Sequence, residues 1–202
     1  MLRLVCIDVD GTLIGESGKP TSGVLDAIIH ARSLGQTLAL STARGAMGPT
    51  ADYASLLNPS GWHIFHAGAS LVHTGSSEII GEALPKDIIR IGTELSGIHG
   101  WALEYYSADD YRSVDDSLAD QPLAAAHSKM LGCDFKVGDA SDLVEPVVRL
   151  QFVVNESQVS EILELMAGKG NVSVATSPVL VGCLLYTSPS PRDRTRSSMP
   201  YY

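Results

Sequence analysis

Hydrophobic positions along the chain alternate between short unbroken runs and helical spacing. Residues 2–9 form a nearly continuous apolar run, the kind a parallel sheet buries on both faces. After the glycine-rich stretch through Gly18, Thr21 or Ser22 caps a helix that carries Val24, Leu25, Ile28, Ile29 and Leu34 at helical spacing, and Gly35 ends it. Residues 37–42 give a second short apolar strand. Strand, helix and strand in that order make a βαβ unit whose crossover places both strand ends on one edge. Open α/β sheets bind their ligands at that carboxyl edge.

The pattern predicts a further helix over 50–57 and a strand over 63–73 interrupted at Ala67-Gly68-Ala69. Pro85 opens a different texture. A helix near 86–95, strand signals at 101–106 and 111–114, and a polar helix over 119–131 are followed by a strand at 147–154, a helix at 159–167 and a strand at 172–174. The expected fold class is therefore α/β, with a parallel-sheet domain at residues 1–83 and an inserted α+β domain at residues 84–182. No internal repeat suggests a solenoid.

Composition narrows the classes of function. With 45% hydrophobic and 18% charged residues, the chain is that of a packed globular protein. A formal charge of −9 argues against nucleic acid or an anionic membrane as partner, since both need a basic footprint. An anionic substrate would need a metal or a few placed cations. No run approaches the roughly 18 consecutive apolar residues of a membrane span. The N-terminus enters a strand directly, so a cytoplasmic location is expected. Cys6, Cys133 and Cys183 lie far apart and form neither a disulfide framework nor a metal knuckle. From Cys183 onward the periodicity stops. Residues 183–193 read, residue for residue, as the translation of a transposon-type sequencing-library adapter, so residues 183–202 are expected to be a non-native, disordered tail.

The chemistry concentrates in Asp8-Val9-Asp10-Gly11-Thr12 at the end of the first strand. Residues two apart on a strand share a face, so Asp8 and Asp10 look into one cleft and attract a divalent cation. Gly11 permits a sharp turn, and Thr12 offers a hydroxyl and a backbone amide to an anion. Ser41, Thr42 and Arg44 end the second strand on the same rim. His63, His66 and His73 show no spacing that fixes a metal, and Trp101, Tyr105, Tyr106 and Tyr111 are expected in the core of the inserted domain.

The Asp-Val-Asp-Gly-Thr run resembles the first motif of the haloacid dehalogenase superfamily of phosphotransferases. Residues 38–44, Leu-Ala-Leu-Ser-Thr-Ala-Arg, resemble the second motif of its Cof-type (subfamily IIB) members, with Ala43 in place of the usual glycine. The resemblance implies a Rossmann-like core and an α+β cap. It further implies that Asp8 is the nucleophile, Asp10 the general acid and base, and Gly11, Thr12, Thr42 and Arg44 the phosphate-binding residues. Mg2+ would take a carboxylate oxygen of Asp8 and the backbone carbonyl of Asp10. The implied activity is Mg2+-dependent hydrolysis of a small phosphorylated metabolite, such as a sugar phosphate, through an aspartyl phosphate. A phosphomutase of the same superfamily and a non-catalytic remnant are the alternatives. His66-Ala67-Gly68-Ala69 stands where such proteins show Asn-Gly-Ala, so Ala67 departs from the pattern. The family returns from its cap with a lysine and a Gly-Asp-x-x-Asn-Asp-like loop. Nothing from Val172 to Tyr202 matches either, so the expectation is a C-terminally truncated chain with little or no turnover.

Overall fold

The computed structural model describes residues 4–113, 122–134, 136–169, 172–175 and 183–187. Strand β1 (Leu4–Ile7) lies parallel to β2 (Thr37–Leu40), with Leu4 opposite Thr37 and Ile7 opposite Leu40. Helix α1 (Ser22–Ser33) joins them. It begins where Thr21 Oγ1 accepts the Val24 N–H at 3.4 Å. It ends where Gly35, at φ +74°, turns the chain so that the Gln36 N–H returns to the Ala31 carbonyl at 3.2 Å.

Helix α2 (Pro49–Leu57), with proline in its first turn, leads into β3 (Trp62–Phe65). Strand β3 extends the parallel layer beside β2: Ser41 bridges to Ile64, and the Thr42 N–H donates to the Ile64 carbonyl at 3.0 Å. The chain then folds back through His66-Ala67-Gly68 into β4 (Ser70–His73), antiparallel to β3, and β5 (Ile79–Gly81) adds to the same hairpin. Val9, Leu13, Ile28, Leu38, Leu40, Leu57 and Phe65 form the buried cluster of this layer. The two-faced burial expected for the first strand is corrected. Val5 and Ile7 pack against that cluster, whereas Leu4 is 55% exposed and Cys6 is exposed. A strand is covered on both faces only where elements pack on both, and the described residues cover one.

A second group of elements follows Leu84, whose N–H donates to the Val147 carbonyl at 2.8 Å. These elements are α3 (Lys86–His99), β6 (Ala102–Tyr106), β7 (Tyr111–Ser113), α4 (Pro122–Leu131), β8 (Arg149–Val153), α5 (Glu156–Met166), β9 (Val172–Ala175) and β10 (Cys183–Thr187). The sheet is antiparallel in the order β7-β6-β8-β10-β9. Leu103, Tyr105, Leu150 and Phe152 point to one face and pack with Ile88, Trp101, Ile162 and Met166. Alternation sends Glu104, Tyr106, Arg149 and Gln151 to the other face, where Glu104 sits opposite Gln151 and Tyr106 opposite Arg149. Trp101, Tyr105, Tyr106 and Tyr111 are all buried, as expected of a cap core.

The disorder expected from Cys183 onward is corrected for five residues. Cys183–Thr187 pairs with β8 on one side and β9 on the other, Cys183 lying opposite both Val153 and Ala175. The run Cys-Leu-Leu-Tyr-Thr is rich in strand-forming residues, and an unpaired strand edge accepts such a run whatever its origin. Residues 188–202, Val114 and the start of the helix expected at 119 lie outside the described residues.

Candidate active site

Asp8 and Asp10 leave the carboxyl end of β1 exposed on either side of Val9, which is fully buried. Burial of Val9 thus holds both carboxylates outward. Gly11, at φ +72°, closes the turn that follows: the Leu13 N–H donates to the Asp8 carbonyl at 3.1 Å and the Ile14 N–H to the Val9 carbonyl at 3.0 Å. Within this turn the Gly11 N–H donates to Ile14 O at 3.0 Å and the Thr12 N–H to Val9 O at 3.4 Å. The Thr12 amide is therefore aimed into the loop. The loop closes on its own carbonyls, and Thr12 is left with its hydroxyl.

The second rim strand meets the first through the Ser41 N–H, which donates to the Ile7 carbonyl at 2.9 Å. Thr42 is buried, and its Oγ1 accepts the Arg44 N–H at 3.2 Å. The Thr42 carbonyl accepts the Ala67 N–H at 3.0 Å and the Arg44 carbonyl accepts the His66 N–H at 2.9 Å, so the turn after β2 is stitched to the turn after β3. That second turn holds two non-glycine residues in the left-handed region, His66 at φ +50° and Ala67 at φ +56°. Gly45 allows the close packing between the turns. A Cβ there would lie 2.9 Å from His66 ring atoms and 2.7 Å from the Met47 methyl.

Arg44 and Asp10 are brought together. Arg44 Nε donates to Asp10 Oδ2 at 2.9 Å and Nη2 to Oδ1 at 2.6 Å, a forked pair at the mouth of the rim. The Asp8 carboxylate is exposed, and its one hydrogen bond among the described residues is from the Val9 N–H, at 2.7 Å. Among the described residues no group of three or more His, Cys, Asp or Glu is poised to hold a metal. A Mg2+ ion, which keeps several waters and needs only one or two carboxylates beside a substrate phosphate, fits an exposed Asp8 next to Asp10.

The histidines near the rim serve the scaffold. His63 Nδ1 accepts the Leu40 N–H at 2.9 Å and its Nε2 faces the Asn58 carbonyl at 3.0 Å, and burial lowers its pKa. His66 is fully buried against Tyr106, with ring centroids 5.7 Å apart, and its ring lies by the backbone of Ser107 and Ala108. Burial first, and the Arg149 cation second, push its pKa down to about 3. A cleft of about 190 Å³ between α2 and the β3–β5 hairpin includes none of the rim residues.

The cap also reaches the rim. The Ala46 N–H donates to the Ala108 carbonyl at 3.0 Å, and Arg149 Nη1 donates to the Ala43 carbonyl at 3.1 Å. Pattern reading of the sequence did not single out Arg149. Its signal is a charged residue inside the otherwise apolar strand Arg-Leu-Gln-Phe-Val, beside a second polar residue of the same parity.

Comparison with known proteins gives a consistent picture. The sequence profile of the haloacid dehalogenase-like hydrolase family matches residues 5–179. YxeH of Bacillus subtilis (strain 168), a provisionally named phosphatase, is 31% identical over 84 residues, which is 41% of this chain and 31% of that protein. The chain therefore spans about a third of the curated relative it matches. A haloacid dehalogenase-like hydrolase from Bacteroides thetaiotaomicron superposes with a TM-score of 0.74 at 18% identity, covering 93% of this chain and 71% of that one. The subclass IIB sugar phosphatase BT4131 superposes with a TM-score of 0.65 at 13% identity, covering 92% and 70%. At such identities these likenesses establish the fold. Among the described residues no helix is long and apolar enough to cross a membrane.

Proposed function

This chain belongs to the haloacid dehalogenase-like hydrolase family, and from that premise we propose that it carries the nucleophile half of a phosphatase for small phosphorylated metabolites. The observation that carries the reading is the rim itself: Asp8 stands exposed beside Asp10, and Asp10 is held by the fixed cation Arg44. Asp8 attacks phosphorus, the bond to the leaving alcohol breaks, and Asp10 gives that alcohol a proton. Asp10 then takes a proton from the water that attacks the aspartyl phosphate, and phosphate and Asp8 are released. Asp10 carries the proton for the leaving alcohol before the first step, and a neutral carboxyl accepts the two Arg44 hydrogen bonds more weakly than a carboxylate, so Arg44 can turn a donor to the incoming phosphoryl oxygen. Thr42 and Thr12 supply hydroxyls at the same edge, and the Gly11 turn keeps the edge open. Mg2+, held by Asp8 and Asp10, would neutralise charge on the transferred group.

The sugar phosphatase among the structural relatives supports sugar phosphates as the first substrates to try. A cytoplasmic location fits such substrates. The lysine and acidic loop of the family are not matched within this sequence. Turnover by these 202 residues is accordingly expected to be low. The test is Mg2+-dependent binding of orthovanadate, with phosphate release and isomer formation from a panel of phosphosugars read in parallel. Binding that is lost in Asp8→Asn supports the proposal. Isomer without free phosphate indicates a mutase, and vanadate binding that is indifferent to Asp8→Asn overturns the assignment of the nucleophile.

A further inference from the structure

We infer that Arg149 is a positioning residue, a cap-borne latch that fixes the turn Thr42–Arg44 through the Ala43 carbonyl. The inference rests on the phosphatase reading for its consequence, and on geometry for the latch itself. Arg149 is buried on β8, with its guanidinium 4.8 Å from the centre of the Tyr106 ring. One of its terminal nitrogens, Nη1, leaves the cap and donates to the Ala43 carbonyl at 3.1 Å. Ala43 lies between Thr42 and Arg44, the two residues assigned to the phosphoryl group, so the bond ties down the peptide that orients both.

Behind Arg149 stands a buried polar chain that no other role absorbs. Arg149 Nη2 donates to Gln151 Oε1. The Gln151 amide nitrogen lies 3.1 Å from His127 Nε2, and His127 Nδ1 lies 2.8 Å from a Glu104 carboxylate oxygen. Tyr106 Oη donates to the same carboxylate at 2.6 Å. Arginine can only donate, so Gln151 must present its carbonyl to Arg149 and its NH2 to His127. His127 then accepts at Nε2 and donates from Nδ1 to Glu104. This arrangement satisfies Gln151, His127 and Glu104, and it fixes the two terminal guanidinium nitrogens, one on Gln151 and one on Ala43, while Nε makes no hydrogen bond among the described residues. Glu104 and Gln151 are fully buried, so the chain balances the Arg149 charge with a carboxylate rather than with solvent.

A guanidinium oriented by its own domain and spent on a main-chain carbonyl of the other is suited to transmit cap docking to the rim. With the cap docked, Ala43 is held, Thr42 keeps its hydroxyl beside the Arg44 amide, and Arg44 stays on Asp10. With Arg149 removed, the turn is left only with its bonds from the His66 and Ala67 amides, which open more readily once the tie to the cap is gone.

The test combines amide hydrogen exchange with orthovanadate binding in the presence of Mg2+, on the full chain and on Arg149→Met. The latch predicts exchange at least tenfold faster at the Ala46, His66 and Ala67 amides, with the β6 amides unchanged, and vanadate binding weakened tenfold or more. Unchanged protection at all three amides overturns the latch whatever the ligand does. Faster exchange with undiminished vanadate affinity overturns its role in positioning. If the parent chain itself binds no vanadate, the phosphatase reading fails and the exchange data alone judge the latch. If Arg149→Met also loosens β6, Arg149→Lys decides: it keeps the charge over Tyr106 without the fork. Selective loosening of the turn then supports the latch, and protection equal to the parent's overturns it.

Discussion

Arg44 grips Asp10 through two parallel hydrogen bonds, Nε to Oδ2 at 2.9 Å and Nη2 to Oδ1 at 2.6 Å. The pair spans the two rim strands, and its planar fork matches a phosphate as well as it matches a carboxylate. Exchange of Asp10 for a phosphoryl oxygen is then a swap of like partners. A charge-assisted hydrogen bond is worth about 1.5–3 kcal/mol. Arg44→Ala is expected to weaken orthovanadate binding by roughly ten- to a hundredfold, whereas Arg44→Lys, which keeps the charge but not the fork, should lose about tenfold. Isothermal titration in the presence of Mg2+ reads both, and equal affinity in all three proteins would remove Arg44 from the site.

Two glycines that look equivalent in the sequence should respond oppositely to alanine. Gly45 is buried, and a Cβ there meets the His66 ring at 2.9 Å and the Met47 methyl at 2.7 Å, so Gly45→Ala should destabilise by about 1–3 kcal/mol. Gly97 lies on the exposed side of α3 with nothing within 4 Å of such a Cβ, and Gly97→Ala should stabilise by about 0.5–1 kcal/mol through helix propensity. Urea unfolding of the two variants gives the signs directly.

The strands and helices of both domains were legible because each is a short apolar run or a clean helical stripe ended by glycine or proline. α1 is an example, starting at Thr21 and stopping at Gly35 as its sequence requires. β5 was not legible: three residues between a Gly-Ser-Ser turn and a linker are too few to show a period. Cys183–Thr187 misled because the composition after it is coil-like while its own five residues are strand-forming. The convergence of Asp8, Asp10, Thr42 and Arg44 on one rim was legible because they sit next to strand ends. That of Arg149, Gln151, His127 and Glu104 was not. Their relation is made by sheet register, which brings residues 47 apart into opposition.

Ala67 offers a stabilising substitution. It is exposed and held at φ +56°, ψ +26°, a conformation in which asparagine is several-fold enriched and alanine is strained. Ala67→Asn should therefore stabilise the fold by roughly 0.5–1 kcal/mol. Thermal and urea unfolding check it, and a loss of stability would mean that the turn is not left-handed at this residue in solution.

His66 makes stability depend on pH in a direction that can be worked out. Its pKa is pushed down to about 3 in the folded chain, chiefly by burial and then by Arg149, against an ordinary value near 6.5 once unfolded. Between those two values the unfolded state binds a proton that the folded state does not. Stability is therefore fully present above the unfolded pKa and falls as the solution is acidified toward the folded one. The slope is about 1.4 kcal/mol per pH unit for this one group, and the lowered pKa of His63 adds loss of the same sign. His66→Phe keeps a ring against Tyr106 and removes the titration. Urea unfolding between pH 5 and 7 should therefore show a shallower slope in His66→Phe than in the parent, by about 1 kcal/mol per unit averaged over that window. The same slope in both proteins would mean that His66 is accessible to a proton in the folded state.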